Sequence, residues 1–243
     1  MNNRRKVRAV VLAAGKGTRM KAGKPKLLIQ IKGKPIIARV VEACDVSEIE
    51  RIYVVVGQRA ETIKKAIGSK CEFVVQGKQL GTGHALMQVR RPLRNYRGDL
   101  VVLVGDSPFL TRGLIRRLIS VHRSSRAAAT FLTTRYAHPP PYARIIRDGA
   151  GGIADIREEN QCTPDQKRIK EVVTSHYCFR AEIVLPLLSR IRDDNPKHEY
   201  YLTDIIPVLI RHGYEVDTVK VNDPRSVFGI NDIRDLKWAT GKS

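Results

Sequence analysis

Short apolar runs and amphipathic segments alternate along the first half of the chain. The apolar and β-branched runs predict buried strands at Val7–Leu12, Ile52–Val56, Glu72–Val75, Leu100–Val104 and Ala127–Thr133. The amphipathic segments predict helices at Pro35–Cys44, Glu61–Ile67, His84–Val89 and from the N-cap Thr111 to about His122. Alternation of this kind is typical of a parallel sheet with helices on both faces.

The pattern changes in the second half. Antiparallel ribbons are predicted at Tyr142–Arg147, Gly152–Arg157 and Val172–Arg180. They are followed by helices from Ala181 to about Arg192 and from Thr203 to Arg211 (capped by Thr203 or Asp204), a strand at Glu215–Val221 and a final helix from about Asp232. We therefore predict a Rossmann-like α/β fold, with a mostly parallel mixed sheet flanked by helices and a small antiparallel β insertion.

Neither a repeat nor a low-complexity linker divides the sequence. We expect one domain over residues 1–243, with a nucleotide-binding half at about 1–135, a substrate-binding half at about 136–226 and a C-terminal helix at 227–243.

No apolar stretch reaches the length of a membrane span, and the basic start is not followed by a credible signal sequence. The scattered cysteines, Cys44, Cys71, Cys162 and Cys178, indicate reduced thiols in a cytoplasmic protein.

The net charge of +20 allows two interpretations. In the first, the basic chain binds the phosphates of a nucleic acid. In the second, it binds a small substrate that carries several negative charges. The first 34 residues carry eleven Lys and Arg, and no acidic residue precedes Glu42. No aromatic residues interleave with the basic ones, so we expect a small phosphorylated substrate and neither a nucleic-acid nor a membrane partner.

A glycine-bearing loop with clustered cations follows the first predicted strand. Such a loop presents backbone N–H groups and positive charge to a phosphate chain. Met20 replaces the third glycine of a dinucleotide fingerprint, and Pro25 replaces the Ser or Thr of a Walker loop after Gly23-Lys24. The predicted nucleoside-triphosphate loop comprises Leu12, Ala13, Ala14, Gly15, Lys16, Gly17 and Thr18, with the cations Arg19 and Lys26 beside it.

Two further segments carry chemistry at strand ends. Asp106 directly follows the apolar strand and Gly105, where a carboxylate is well placed to hold Mg²⁺ over phosphates. The alternative is that Asp106 only begins a turn before Pro108. In the segment 76–86, Gln76 can read the edge of a base, Gly81 lets the backbone approach a ring, and Thr82 can hydrogen-bond or cap a helix.

Six blocks of the sequence resemble successive motifs of the sugar-nucleotide pyrophosphorylases. They are Leu12–Met20, Lys26, Gln79–Ala85, Gly105-Asp106, Glu199–Asp204 and Gly229–Asn231. The resemblance covers about residues 7–236 and is greatest to the uridylyltransferase half of the bifunctional N-acetylglucosamine-1-phosphate uridylyltransferase/glucosamine-1-phosphate acetyltransferases. It implies transfer of a uridylyl group from UTP to a sugar 1-phosphate, in a route to cell-envelope precursors. The β-helix acetyltransferase part of those proteins is not expected here, and the oligomeric state is left open.

The resemblance also implies roles for individual residues. Arg19 and Lys26 are expected to be catalytic, and Asp106 and Asn231 to hold Mg²⁺. The uracil is expected to contact Gln76, Gly81 and Thr82. The implied sugar contacts are Gly105, Ala143, Glu158, Glu171, Val173 and Thr174.

The sugar side departs from the family pattern. Ala143 replaces the usual glycine, and Val173 replaces an asparagine that binds the sugar. N-acetylglucosamine 1-phosphate is therefore the leading acceptor. The alternatives are another sugar phosphate or an alcohol phosphate as the acceptor, or another base on the triphosphate (dTTP, CTP or GTP). A non-catalytic nucleotide-binding regulator is an alternative of another class.

Overall fold

The computed structural model describes residues 5–15, 25–58 and 60–240. The strands are β1 Val7–Ala13, β2 Gln30–Ile31, β3 Lys34–Pro35, β4 Ile49–Val56, β5 Glu72–Val75, β6 Asp99–Val104, β7 Ala129–Arg135, β8 Arg144–Arg147, β9 Ile153–Arg157, β10 Glu171–Arg180 and β11 Val216–Val221. The α-helices are α1 Ile36–Ala43, α2 Ala60–Ile67, α3 Thr82–Met87, α4 Arg112–Ser125, α5 Pro164–Lys167, α6 Ala181–Leu187, α7 Ile205–Arg211 and α8 Ile233–Thr240.

Strands β11, β7, β10, β6, β1, β4 and β5 form the central sheet in that order. The pairs β6–β1, β1–β4, β4–β5 and β7–β11 are parallel, and β10 runs antiparallel to both of its neighbours. Strands β8 and β9 extend from β10 as a small antiparallel ribbon. The predicted α/β class with a mixed, mostly parallel sheet is confirmed.

Both faces of the sheet are buried. Along β1, Val7, Ala9 and Val11 face the core that α1 and α4 complete, whereas Val10 and Leu12 face the core that α3, α6 and α7 complete. A strand covered on both faces needs a continuous apolar run, as this sequence has. Within the described part of the chain, no helix has the length and apolar character needed to cross a membrane.

Strand β10 is the main correction to the predicted topology. The sequence pattern indicated a ribbon of the insertion, but β10 lies between β6 and β7 in the central sheet. Its register shifts between Val173 and Tyr177, and Ser175 there adopts a φ of +58°. The strand pairs with β7 at both of its ends, and at its N-terminal end it also contacts β8.

Smaller corrections concern the ends of elements. The helix predicted to reach Arg192 ends at Leu187, directly after the proline at 186, and continues as a 3-10 turn. Asp204 is the N-cap residue of α7 but makes no capping bond with its side chain. Thr111 does cap α4, because its Oγ1 accepts from the N–H of Leu114 at 3.2 Å.

The hairpin β2–β3 and helix α5 were not predicted. In the hairpin, the two-residue turn Lys32-Gly33 has positive φ at both positions, the geometry that matches the twist of paired strands. Strands of two residues are too short to give a sequence pattern.

Candidate functional site

The loops that follow β1, β4 and β6 meet at the carboxyl edge of the sheet, where ligands of open α/β sheets bind. The N–H of Gly105 donates to the carbonyl oxygen of Leu12 at 2.9 Å, which ties the loop after β6 to the end of β1. Leu12, Ala13 and Ala14 are buried, and Gly15 is exposed at the edge. The predicted phosphate-loop residues Lys16, Gly17, Thr18 and Arg19 lie outside the described residues.

A lysine, an aspartate and an asparagine from distant parts of the sequence meet at this edge. Nζ of Lys26 donates to Oδ2 of Asp106 at 2.6 Å and to Oδ1 of Asn231 at 3.0 Å. The side chains of Lys26 and Asp106 are 15% and 21% exposed, so their charges are partly shielded from water. The structure therefore brings together three residues that the sequence had assigned to catalysis and metal binding.

Backbone N–H groups of the segment 228–231 hold it in place, and one of them bonds Asp106. The N–H of Ile230 donates to the carbonyl oxygen of Asp106 at 2.9 Å. The hydroxyl of Tyr142 accepts from the N–H of Gly229 at 3.0 Å, and the N–H of Asn231 donates to Oδ2 of Asp235 at 2.7 Å. Burial raises the pKa of Tyr142, so its hydroxyl remains neutral. Tyr142 and Asp235 were not predicted as site residues. Tyr142 lies beside Ala143 in a segment that resembles a family motif, whereas no sequence motif marks Asp235.

Gln76 is held at the end of β5 by contacts from its side-chain amide. Its Nε2 lies 3.1 Å from the carbonyl oxygen of Gly81 and 2.9 Å from Nδ1 of His84. Burial lowers the pKa of His84, which favours the neutral ring that accepts from this amide. Both amide N–H groups are thus directed into the protein, and within the described residues no donor contacts the amide oxygen.

A second glutamine, Gln79, ties the glycine-rich segment to the first loop. Its Nε2 donates to the carbonyl oxygen of Ala14. Gly57 allows this contact, because a Cβ at position 57 would lie 2.6 Å from that Nε2 and 2.8 Å from the oxygen of Ala14. Gln79 belongs to one of the motif blocks, but sequence reasoning gave it no role. The side chain of Gln79 therefore links the segment after β5 to the loop after β1, beside Gly57 in the loop after β4.

Thr82 and Gly81 contact the segment 199–203. Oγ1 of Thr82 accepts from the N–H of Leu202 at 3.0 Å, so the hydroxyl orders this segment. Gly81 has a φ of +102°, and a Cβ there would lie 2.6 Å from the carbonyl oxygen of Tyr200. The two residues therefore dock the Glu199–Asp204 block against the glycine-rich segment; their contact with a base stays a prediction.

Two acidic residues, Glu158 and Asp204, influence each other beside Thr203. Oγ1 of Thr203 donates to Oε1 of Glu158 at 2.6 Å. Burial raises the pKa of Glu158, and burial together with the charge of Glu158 raises the pKa of Asp204 to about 7. Thr203 therefore orients a carboxylate instead of capping a helix, and Glu158 is available to accept hydrogen bonds.

The remaining residues predicted on the sugar side are engaged within the protein. The N–H of Val173 donates to the carbonyl oxygen of Ala143 at 3.0 Å, and Oγ1 of Thr174 donates to the oxygen of Leu132 at 3.0 Å. Glu171 accepts two bonds from Arg147, at 2.8 and 3.0 Å; burial works against its charge, but these bonds hold its pKa below the usual range. Sugar contacts by these residues stay a prediction.

This edge brings backbone loops and a cation together with a carboxylate and an amide oxygen, groups that suit a phosphorylated ligand. The chain belongs to the family of MobA-like NTP transferase domains, whose model matches residues 9–192. It is a nucleotidyltransferase, and the predicted resemblance to the sugar-nucleotide pyrophosphorylases is confirmed.

Several proteins named "Bifunctional protein GlmU" are similar to the chain. That of Pelotomaculum thermopropionicum is 41% identical over 228 residues, which are 94% of this chain and 50% of that protein. That of Acetivibrio thermocellus is 39% identical over 224 residues, 92% and 49% of the two chains. The chain thus spans about half the length of these curated relatives.

A solved structure of UDP-glucose pyrophosphorylase complexed with UDP-glucose shares the fold. Its TM-score is 0.74 over 97% of both chains, at 18% sequence identity. At that identity the likeness establishes the architecture alone.

Proposed function

We propose that this chain transfers a uridylyl group from UTP to a sugar 1-phosphate, most simply N-acetylglucosamine 1-phosphate, and releases pyrophosphate. The main support is the position of Lys26, whose Nζ contacts both Asp106 and Asn231 at the carboxyl edge of the sheet. A cation there faces the place where a bound triphosphate would meet an acceptor phosphate.

The reaction needs neither a covalent intermediate nor a general base. An oxygen of the sugar phosphate attacks the α-phosphorus, a new P–O bond forms, and the bond to pyrophosphate breaks with its electron pair staying on pyrophosphate. Lys26 neutralises charge on the reacting phosphates, and Arg19 with the loop from Leu12 to Thr18 holds the triphosphate. Catalysis then rests on positioning and electrostatic stabilisation.

Asp106 and Asn231 fit a magnesium ion by their chemistry. A carboxylate and an amide oxygen are ligands that Mg²⁺ accepts, with phosphate oxygens completing its shell. Both oxygens contact the same cationic atom, Nζ of Lys26. The two oxygens therefore lie close enough together for one cation to contact both. When bound there, Mg²⁺ would supply further neutralisation of the triphosphate charge.

The orientation of Gln76 supports uracil as the base. With both N–H groups directed to Gly81 and His84, the amide offers its oxygen, an acceptor, to a ligand. Uracil presents an N–H at its ring position 3, whereas cytosine presents a bare nitrogen there. A fixed acceptor therefore favours UTP over CTP. Thymine presents the same N–H, so dTTP is the nucleotide to compare with most care.

The acceptor is assigned from Glu158, which Thr203 orients at 2.6 Å, and from the relatives named above. The buried Val173, where the family carries a sugar-binding asparagine, makes another sugar or alcohol phosphate the second candidate.

A panel of triphosphates and phosphorylated acceptors, with pyrophosphate release as the readout, tests the proposal. We expect magnesium-dependent release with UTP and N-acetylglucosamine 1-phosphate above all other pairs. A tenfold preference for CTP or GTP would overturn the base assignment, and a better acceptor would overturn the sugar. Triphosphate binding without turnover on any acceptor would indicate a regulatory nucleotide-binding protein.

A further inference from the structure

We propose that the chain carries a second anion-binding site, for a compact ligand with at least two phosphate groups, at the end of the sheet opposite Asp106. Arg8, Arg91, Arg94 and Tyr96, with Pro92 and Asn95, line a cavity of about 510 Å³ there. A volume of this size accommodates a small ligand.

The cavity lies where strands β1 and β6 begin. The N–H of Asp99, the first residue of β6, donates at 2.8 Å to the carbonyl oxygen of Lys6, which directly precedes β1. The candidate active site lies where the same strands end. Strand β1 has seven residues, so the two regions are separated by about 20 Å along the sheet. The cavity is therefore distinct from the transferase site.

Positive charge in this region exceeds what the protein itself neutralises. Arg90, Arg91, Arg94 and Arg97 are exposed within eight consecutive residues. None of these arginines forms an ion pair with a carboxylate anywhere in the described ranges. Glu50 is shared between Arg8 at 2.9 Å and Lys6 at 3.4 Å. Crowded cations of one sign repel each other, and a ligand with several negative charges relieves that repulsion.

A second basic cavity in the molecule provides a comparison. It is lined by Lys32, Lys34, Arg39 and Arg112. There, Lys34 pairs with Glu42 at 2.8 Å and Arg112 pairs with Asp45 at 2.7 Å. Two of its four cations are therefore neutralised by carboxylates, whereas among Arg8, Arg91 and Arg94 only Arg8 has such a partner within the described residues.

The backbone that carries these arginines is anchored. Leu93 is 1% exposed and its N–H donates to the carbonyl oxygen of Val89 at 3.0 Å, while the N–H of Tyr96 donates to the oxygen of Leu93 at 3.0 Å. The hydroxyl of Tyr96 lies 2.7 Å from the oxygen of Lys6. A fixed turn presents guanidinium groups without a large ordering cost on binding.

The chemistry of the cavity favours phosphates over nucleic-acid bases or lipid. The guanidinium of Arg8 lies 4.2 Å from the centre of the Tyr96 ring, so this face of the ring is covered and offers no platform for a base. The exposed large apolar residues of the described chain, Val75, Tyr214 and Trp238, do not line the cavity. Guanidinium groups bind phosphate oxygens in paired hydrogen bonds, which suits a compact polyphosphate.

Inorganic tripolyphosphate is the probe for this site, with hydrogen exchange of residues 88–98 as the local readout. A local readout is needed because the loop after β1 is also expected to bind a triphosphate. The test variant is Arg91→Ala with Arg94→Ala. The control is Arg117→Ala with Arg168→Ala, which removes the same charge from exposed positions elsewhere.

We expect tripolyphosphate to protect residues 88–98 in the wild type and the control, and protection to vanish in about 1 M salt. The test variant should need at least about tenfold more tripolyphosphate for the same protection. In the absence of tripolyphosphate, its pyrophosphate release should equal that of the wild type. Absence of protection in the wild type would overturn the proposal, as would an equal loss in the control. Protection by a single-stranded oligoribonucleotide but not by tripolyphosphate would also overturn it, in favour of a nucleic-acid surface.

Discussion

Nζ of Lys26 lies 2.6 Å from Oδ2 of Asp106, although 80 positions separate the two residues in the sequence. The same Nζ lies 3.0 Å from Oδ1 of Asn231, which is 205 positions from Lys26. Three segments remote in sequence thus converge on one half-buried point. These contacts hold the charged groups of the proposed reaction centre in fixed positions, which is the preorganisation that electrostatic catalysis needs.

Replacement of Lys26 by methionine should lower turnover by about 10²–10³-fold, the scale for one preorganised electrostatic contact. Methionine retains most of the length of the side chain and removes the charge. Steady-state pyrophosphate release measures the effect. Lys220→Met, at an exposed position on β11, is the matched control and should retain wild-type turnover. Equal turnover in the two variants would remove Lys26 from the mechanism.

Replacement of Asp106 by asparagine should lower turnover by about 10²–10³-fold and raise the magnesium concentration needed for half-maximal rate. The amide keeps the shape of the carboxylate but loses the charge that attracts a divalent cation. A magnesium titration of the rate, for wild type and variant, gives both quantities. An unchanged magnesium requirement would place the metal elsewhere.

Gly57→Ala should destabilise the protein by about 1–3 kcal/mol, because the new Cβ would lie 2.6 Å from Nε2 of Gln79 and 2.8 Å from the oxygen of Ala14. We also expect a higher KM for the nucleotide, since this contact joins the loops after β1 and β5. Thermal unfolding and nucleotide titration measure the two effects. Gly77→Ala is the control, because nothing lies within 4 Å of a Cβ at that position. Equal behaviour of the two variants would show that the Gln79 contact is dispensable.

Asp204 should make stability depend on pH between about 4 and 7. Burial and the nearby Glu158 raise the pKa of Asp204 to about 7 in the folded protein, against 3.8 as its ordinary value. The folded state therefore binds this proton more tightly than the unfolded state, and the stabilisation is lost as pH rises through this range.

Asp204→Asn removes the ionisation, so we expect Tm at pH 8 to rise by about 2–4 °C and the change to shrink at pH 4. Melting curves across pH measure this. Asp165→Asn, which removes an exposed carboxylate, should leave the profile unchanged. A lower Tm for Asp204→Asn at pH 8 would contradict the assignment.

The first half of the fold could be predicted well from sequence because its elements are local. The apolar runs of β1 and β6 and the cap at Thr111 carry their signals within a few residues. The predicted cluster of Lys26, Asp106 and Asn231 followed from the motif blocks, and the structure brings these residues together.

The remaining features depend on long-range contacts that a local pattern does not contain. The pattern of β10 describes an extended, buried segment but not its neighbours in the sheet. Thr203 has the sequence signal of a helix cap, yet its hydroxyl bonds Glu158, 45 positions away. Tyr142 likewise acts on Gly229, 87 positions away. Only tertiary structure reveals such pairs.

The central place of β10 has a consequence for how the chain can be divided. A fragment that ended near residue 135 would contain β6 and β7 but not the strand that bridges them, so two long edges would be left open. Such edges pair readily with other chains and cause aggregation. A fragment of about residues 1–135 is therefore expected to be insoluble when expressed separately, and split versions of this enzyme should be cut elsewhere.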